Sequence, residues 1–365
     1  MRLSPRARNR AAALGGALLR TIGRGRLAGR PEQPGKLLVL HELLLGDTLM
    51  LAPLLAALRS RYPDSKIYVT SKPAYAPLFA GKPYGAQVLA FTEREAGALG
   101  RLGAARGADI AFLPGENRYA LYARALGAGW TVGLEGGRAR LRNRLVDELV
   151  RLPDRPTGLA EIFASLAGHH SDLRYRAGDW PAPPCAPFDL PTAPYAVLHP
   201  GASSPLKQWA GANWQRLARA LEERGRTVVW SAGPGEEALV RSIDLQARYR
   251  SYAGKLDTAQ LWRLIAGADL LISVDTGVAH LAKLTGTRAI CLYGPGSPAL
   301  VGRGEFWRAA PFTEVTVPDF PCRDQRILFK REIDWVRRCG RTLRECPRPR
   351  CMEAISAEDV VAAMN

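Results

Sequence analysis

The stretch Ile272-Ser-Val-Asp-Thr-Gly-Val-Ala-His-Leu-Ala282 leads from a buried-type apolar run through Asp-Thr-Gly straight into a segment with helical spacing. It reads as a strand passing directly into a helix, the unit from which parallel α/β sheets are built. Such a junction points backbone N–H groups and the positive end of the helix dipole at an anion. Thr276 adds a hydroxyl donor, Gly277 lets a phosphate approach the backbone closely, and Asp275 is left free for sugar hydroxyls. The plainer alternative is an ordinary turn in which Asp or Thr caps the helix.

On either side the same alternation continues. Strands are expected at 195–199, 227–231, 270–274 and 289–293, with helices at 213–224, 259–266 and 277–284. Upstream, the segment WPAPPCAPFDLPTAP at 180–194 holds too many prolines for a helix or a central strand, so it reads as a linker. Before it the pattern runs again: strands at 36–41, 66–70, about 87–91 and 109–113, and one helix at 47–61 with apolar Leu51, Leu54, Leu55 and Leu58. The expected fold is therefore α/β, with two Rossmann-like doubly wound domains facing a central cleft onto which the strand C-termini open. The expected division is a basic extension 1–35, a first domain 36–179, the linker 180–194, a second domain 195–355 and a terminal helix 356–365.

Two further loops follow strands. In His199-Pro-Gly-Ala-Ser-Ser-Pro-Leu-Lys-Gln-Trp209, Ser203, Ser204 and Lys207 can surround a diphosphate, with Lys207 as a point charge. The alternative is a polar surface loop with a solvated lysine. In Glu42-Leu-Leu-Leu-Gly-Asp-Thr48, Asp47 stands at the mouth of the first helix, where a carboxylate can act as a general base or simply cap the helix.

A length of 365 residues with 47% apolar content suits two packed domains. The formal net charge of +17 calls for an anionic partner. Nearly half of it lies in the first 36 residues, where Arg2, Arg6, Arg8, Arg10, Arg20, Arg24, Arg26, Arg30 and Lys36 face one acid, Glu32. The apolar patch 11–19 within this tail falls far short of the roughly 20 residues that span a bilayer and lacks the layout of a secretory signal. The tail reads either as an interfacial anchor, with Ala13, Leu14, Leu18 and Leu19 at the acyl boundary, or as a solvated extension, and the chain reads as cytoplasmic. Of six cysteines, Cys322, Cys339, Cys346 and Cys351 fall late. Without a C-x-x-C pair they read as reduced structural thiols ahead of a four-thiolate metal site, with Cys185 and Cys291 as linker and core residues. A nucleic-acid binder would suit the charge, but no RNP, zinc-finger or helix-turn-helix pattern is present. A dinucleotide oxidoreductase would need G-x-G-x-x-G after the first strand, which the sequence does not have.

Taken in order, G-D-T-L before an apolar helix, H-P-G-A-S-S with K-x-W and N-W, Y-A-G-K-L, S-V-D-T-G-V-A-H-L-A and L-Y-G-P resemble the heptosyltransferase family of GT-B-fold glycosyltransferases, from about Lys36 to the C-terminus. The resemblance implies ADP-heptose as donor and a lipopolysaccharide inner-core acceptor, lipid A-Kdo or core heptose, with inversion at the anomeric carbon and no required metal or cofactor; the alternative is a same-fold transferase of another nucleotide sugar. It implies Asp47 as general base, Ser203, Ser204 and Lys207 on the pyrophosphate, Asp275 on the sugar, and Thr276, Gly277 and Val278 completing the phosphate cradle. His280, one turn after Thr276, faces the cleft or is buried against backbone, and Glu236 reaches the adenosine ribose. A cysteine-bearing C-terminal segment ending in Cys-Met, as Cys351-Met352 does here, is also in keeping with the family. The enzyme implied is peripheral on the inner face of a bacterial inner membrane, with an anionic membrane surface as partner and no nucleic acid. The loop H-E-L-L-L-G-D departs from the small or polar residues usual before Gly-Asp, which leaves the acceptor open.

Overall fold

The computed structural model describes residues 4–23, 29–136, 143–168, 172–192 and 194–364. The chain divides into two compact units, one formed by Met1–Arg155, Ala160–Leu173 and Ile327–Asp334, the other by the remaining segments.

The first unit holds strands β1 (Lys36–Val39), β2 (Lys66–Ser71), β3 (Ala86–Ala90), β4 (Ile110–Leu113), β5 (Trp130–Leu134) and β6 (Glu148–Val150). They pair in parallel in the order β3-β2-β1-β4-β5-β6, the doubly wound arrangement. The central strands are apolar throughout because helices cover both faces, so Leu37, Leu38, Val39 and every residue of β4 are buried. The single helix expected at 47–61 is instead two, α2 (Leu45–Leu49) and α3 (Ala52–Arg61). Pro53 explains the break: it has no N–H to continue the ladder and belongs in a helix's first turn. Leu51, Leu54, Leu55 and Leu58 are fully buried nonetheless.

The N-terminal stretch differs more. Pro5–Gly23 is a helix, α1, that packs on α5 (Ala120–Ala125), α4 being the short Ala98–Arg101. Ala13 is buried in the core around β1 and β4, so neither reading of the tail, interfacial anchor or solvated extension, holds for it. Small residues set the closeness of approach: a Cβ on Gly16 would sit 3.2 Å from that of Ala125. Leu14 is exposed, and the side chains of Leu18 and Leu19 lie outside the described residues, as do those of Arg2, Arg20, Arg24 and Arg26. The basic residues have a structural task, since Arg6 and Arg10 each bond Glu93, only 1% exposed, at 2.9 Å. Asn9 adds bonds to the carbonyls of Glu93 and Glu95. Burial pushes the Glu93 carboxyl up, yet bonds from Arg10 and Arg6 and the charge of Arg118 leave it below the usual range. A depressed carboxylate contributes stability above its unfolded pKa that is lost as pH falls through the folded one. Replacing both Arg6 and Arg10 by Ala strands this carboxylate; with both guanidinia part-exposed, the expected loss is about 1–3 kcal/mol in urea denaturation at pH 7, shrinking toward zero in acid.

The second unit repeats the plan. Strands β7 (Tyr195–His199), β8 (Thr227–Trp230), β9 (Arg250–Ser251), β10 (Leu270–Val274), β11 (Ala289–Tyr293) and β12 (Phe312–Thr316) form a parallel sheet ordered β12-β11-β10-β7-β8-β9. After the short α6 (Leu159–Ala164), its helices include α7 (Gly211–Glu223), α8 (Glu237–Ile243), α9 (Thr258–Ala266) and α10 (Gly277–Thr285). Trp214 stands edge-on to both Trp209 and Trp230, and the indole of Trp209 donates to the Ile355 carbonyl. The terminal helix, Ala357–Ala362, thereby belongs to this unit's core, closed at its start by a Ser356–Asp359 capping box. In the proline-rich stretch, residues 180–192 and 194 form neither helix nor strand, and Ala193 lies outside the described residues. A late excursion corrects the reading of 195–355 as one piece. The hairpin of β13 (Ile327–Leu328) and β14 (Arg331–Glu332) belongs to the first unit, because its buried groups bond that unit's loops.

Candidate functional site

In the second unit the strand order turns outward between β7 and β10, which pair directly. Loops leaving such neighbours diverge and open the crevice where doubly wound sheets bind ligands. The two motifs singled out in the sequence are the loops at this position. Lys207 ends a short 3-10 turn, Pro205–Lys207, after β7, while Asp275-Thr276 joins β10 to α10.

The structure brings these loops into contact. The Lys207 ammonium lies 2.8 Å from the Asp275 carboxylate and donates to the Asp275 carbonyl at 2.8 Å. Asp275, expected to be free, is therefore paired; at 6% exposure its carboxylate needs a cation beside it. Thr276 occupies the N-cap position of α10 in extended conformation, and its hydroxyl makes no capping bond. Gly277 and Val278 form the first turn of this nine-residue helix, where N–H groups have no carbonyl within the helix to bond. Ser203 is exposed and Ser204 part-buried on the loop before Lys207, whose N–H bonds the Ser204 carbonyl. Glu236, after β8, accepts from the Gly233 N–H at 2.7 Å. Its carboxylate lies so near the backbone that a Cβ on Gly201 would collide with it, which places Glu236 beside the Lys207 loop.

His280 does not present itself at the surface. It is buried, and burial together with the charges of Lys283 and Lys207 pushes its pKa well down, so the imidazole is neutral. His199, at the end of β7, is likewise held neutral by burial, at about 4, and meets the Ser231 hydroxyl at 2.8 Å. Sequence reasoning assigned no role to Gly296, the residue directly after the L-Y-G-P motif. A Cβ there would strike the Asp275 carboxylate, so the loop after β11 approaches this site through a glycine.

In the first unit the order turns outward between β1 and β4. Asp47 follows β1 and is part-buried in α2. Leu44, not Asp47, holds the N-cap position, so Asp47 is the third helical residue, where the helix field favours a carboxylate. On the same loop Glu42 accepts from Thr92 at 2.6 Å and from the Tyr119 hydroxyl at 3.2 Å. His41 is buried, and burial followed by the charge of Lys72 drops it to about 3.

The four late cysteines come together. Cys322, Cys339, Cys346 and Cys351 line one cavity of about 210 Å³ with Phe320 and Arg341. All are free thiols, and burial with neighbouring cysteines pushes Cys322 up and Cys351 to about 11. Among the described residues no three His, Cys, Asp or Glu side chains are placed to hold a metal ion. Cys185 is part-buried in the proline-rich stretch, and Cys291 is buried in β11.

Comparison with known proteins gives a consistent set of likenesses. The chain is 33% identical over 111 residues to lipopolysaccharide heptosyltransferase 1 of Salmonella typhimurium, covering 30% of this chain and 35% of that protein. It is 28% identical over 298 residues to lipopolysaccharide heptosyltransferase 2 of Escherichia coli K12, covering 72% and 84%. The chain spans between 43% and 45% of the length of several other curated heptosyltransferases that it matches. The structure of E. coli ADP-heptose lipopolysaccharide heptosyltransferase II superposes with a TM-score of 0.68 at 20% identity, over 90% of this chain and 97% of that one. Its fold is thus the one expected here, two Rossmann-like domains of the GT-B class. The model of glycosyltransferase family 9 matches residues 110–313, a span that contains the Lys207 loop, β10 and the Asp275-Thr-Gly junction. With more than half the chain matched, and with that match centred on the loops that form the site, the protein belongs to glycosyltransferase family 9, the heptosyltransferase family.

Proposed function

We propose that the protein transfers a heptose from ADP-heptose to a hydroxyl of a lipopolysaccharide inner-core acceptor, lipid A-Kdo or core heptose, inverting the anomeric carbon. The observation that carries this reading is the Lys207–Asp275 pair at the mouth of α10, on the loops that flank the switch point of the second sheet. One ammonium and a helix N-terminus are the groups a departing diphosphate needs. The ammonium has three N–H groups, two of which face Asp275 in the structure, and a diphosphate takes up the remaining capacity.

In this scheme the donor lies on the domain 195–355, after the linker 180–194, and the acceptor on 36–179. Ser203, Ser204 and Lys207 hold the pyrophosphate with the N–H groups of Gly277 and Val278 and the Thr276 hydroxyl. Asp275 meets the sugar, and Glu236 the ribose. His280, neutral and buried, supports the cradle from beneath. The C–O bond to the diphosphate breaks through an oxocarbenium-like transition state while the acceptor oxygen attacks from the opposite face. Asp47 takes the acceptor proton, and the charge growing on ADP is met by Lys207 and the α10 N-terminus. Protein groups meet the phosphate charge, so the scheme calls for no metal. The acceptor's lipid places the enzyme on the inner face of a bacterial inner membrane, with the chain's basic excess toward anionic lipid. Among the described residues no helix is long and apolar enough to cross a membrane.

A thermal-shift panel of ADP, UDP, GDP and NAD tests the donor. A ligand at 100 times its Kd stabilises by about 2.7 kcal/mol, so ADP raises the melting temperature by several degrees and the others by much less. A larger shift with NAD or UDP, and none with ADP, would remove this reading.

A further inference from the structure

The hairpin 327–334 has no place in the scheme above, yet two features mark it as built for a purpose. Its two-residue turn, Phe329-Lys330, has positive φ at both positions, 46° and 64°. Tight hairpins of this kind normally use Asn-Gly, and a bulky aromatic there is strained. Such conformations persist only where surrounding structure over-determines them, and they gather at functional sites. Here Phe329 stacks on Phe163 at 5.9 Å, and Lys330 reaches Glu116 at 2.8 Å.

The second feature is Arg331, 4% exposed. Its guanidinium donates to the carbonyls of Gly115, Leu134 and Glu135 at 2.6, 3.0 and 2.7 Å, and to the Asn117 side-chain oxygen at 3.2 Å. None of these acceptors is a carboxylate, and burial pulls the guanidinium down to about 10 despite the nearby Glu116. Burying a charge this way is costly, and what offsets the cost here is a full set of loop oxygens held around the guanidinium. What it joins are the ends of β4 and β5, the loops beside the switch point of the first sheet. Gly115 carries the contact onward: a Cβ there would lie 3.4 Å from Leu43, on the Asp47 loop, and 3.5 Å from the Phe329 ring.

We infer that this hairpin is part of the acceptor side of the first unit, and that Arg331 is a positioning residue holding the β4 and β5 loops against the loop that carries Asp47. The inference rests on the reading that Asp47 serves the acceptor hydroxyl. Strain and burial are thereby explained together: the turn is kept in a costly shape because its contacts fix the geometry of neighbouring loops.

Two variants of the full chain test it. Phe329→Asn with Lys330→Gly relieves the turn while removing the Phe163 and Glu116 contacts; Arg331→Lys keeps a charge but loses the forked bonds. The expected result for the turn variant is an unchanged or higher melting temperature, with ADP affinity held within about twofold and acceptor KM raised about 10- to 100-fold, the scale of an ångström of misplacement. Arg331→Lys shows the same split between acceptor and donor. Unchanged acceptor KM and kcat in both variants overturn the inference. So does a parallel loss of ADP affinity and thermal stability in both, which would make the hairpin packing alone. Asp47→Asn run alongside separates the failures: if it too keeps full turnover, the placement of the acceptor is wrong, whereas if it alone is inactive only the hairpin inference falls.

Discussion

Asp47→Asn is expected to lower the transfer rate by about 10²- to 10⁴-fold, the range associated with losing a general base, while ADP binding stays as it is. The donor affinity should hold because the groups proposed to bind the nucleotide, Lys207 and the α10 N-terminus, belong to the second unit and Asp47 to the first. Stability should also change little. Asp47 is the third residue of α2, Leu44 holding the N-cap position, so Asn gives up a favourable carboxylate–dipole contact of about 0.3–1 kcal/mol while keeping the side chain's size and an acceptor oxygen. Transfer to a lipid A core acceptor, measured beside ADP calorimetry and a melting curve, reads all three quantities. Near-full turnover in Asp47→Asn would mean that another group takes the proton.

Lys207→Ala is expected to cost at least about 10²-fold in rate, because on the proposed scheme it removes the cation that meets the leaving diphosphate. Unlike Asp47→Asn it should also weaken ADP binding and destabilise the fold. The Asp275 carboxylate, nearly buried, would lose its partner, and breaking such a pair costs up to about 3–5 kcal/mol, less here because Lys207 is a quarter exposed. A second variant separates these effects. Lys207→Met with Asp275→Asn removes both charges, so melting temperature should return most of the way while the rate stays low. Recovery of rate together with stability would show that Lys207 acts only as a counter-ion to Asp275 and takes no part with the leaving group.

Parallel strands covered on both faces announce themselves as unbroken apolar runs, and the strands expected at 195–199, 270–274 and 289–293 coincide with β7, β10 and β11. The edge strands β9 and β12 escaped notice. The first has two residues, and the second, Phe-Thr-Glu-Val-Thr, is largely exposed and lacks such a run. The helix break before Pro53 was legible in principle, since proline is at home only in a first turn. The docking of α1 was not, because Ala13, Gly16 and Ala17 form no large-residue stripe. The helix's seat depends on Ala125, which meets Gly16, and on Glu93, which meets Arg10, both more than 80 residues from their partners.

Local chemistry is carried by the chain itself: glycine after a strand, a threonine at a helix mouth, apolar spacing of 3.6 or none. These short-range signals were enough for two doubly wound domains and for the loops at 203–207 and 275–278. Pairing across the sheet is a different matter. That Lys207 meets Asp275, 68 residues on, follows from β7 and β10 becoming neighbours, and strand order is settled by packing rather than by any local pattern. The same holds for Arg331, whose partners Gly115 and Leu134 lie about 200 residues earlier. A buried charge is satisfied by whichever carbonyls the tertiary fold brings within 3 Å, and no periodicity in the sequence encodes which ones those are.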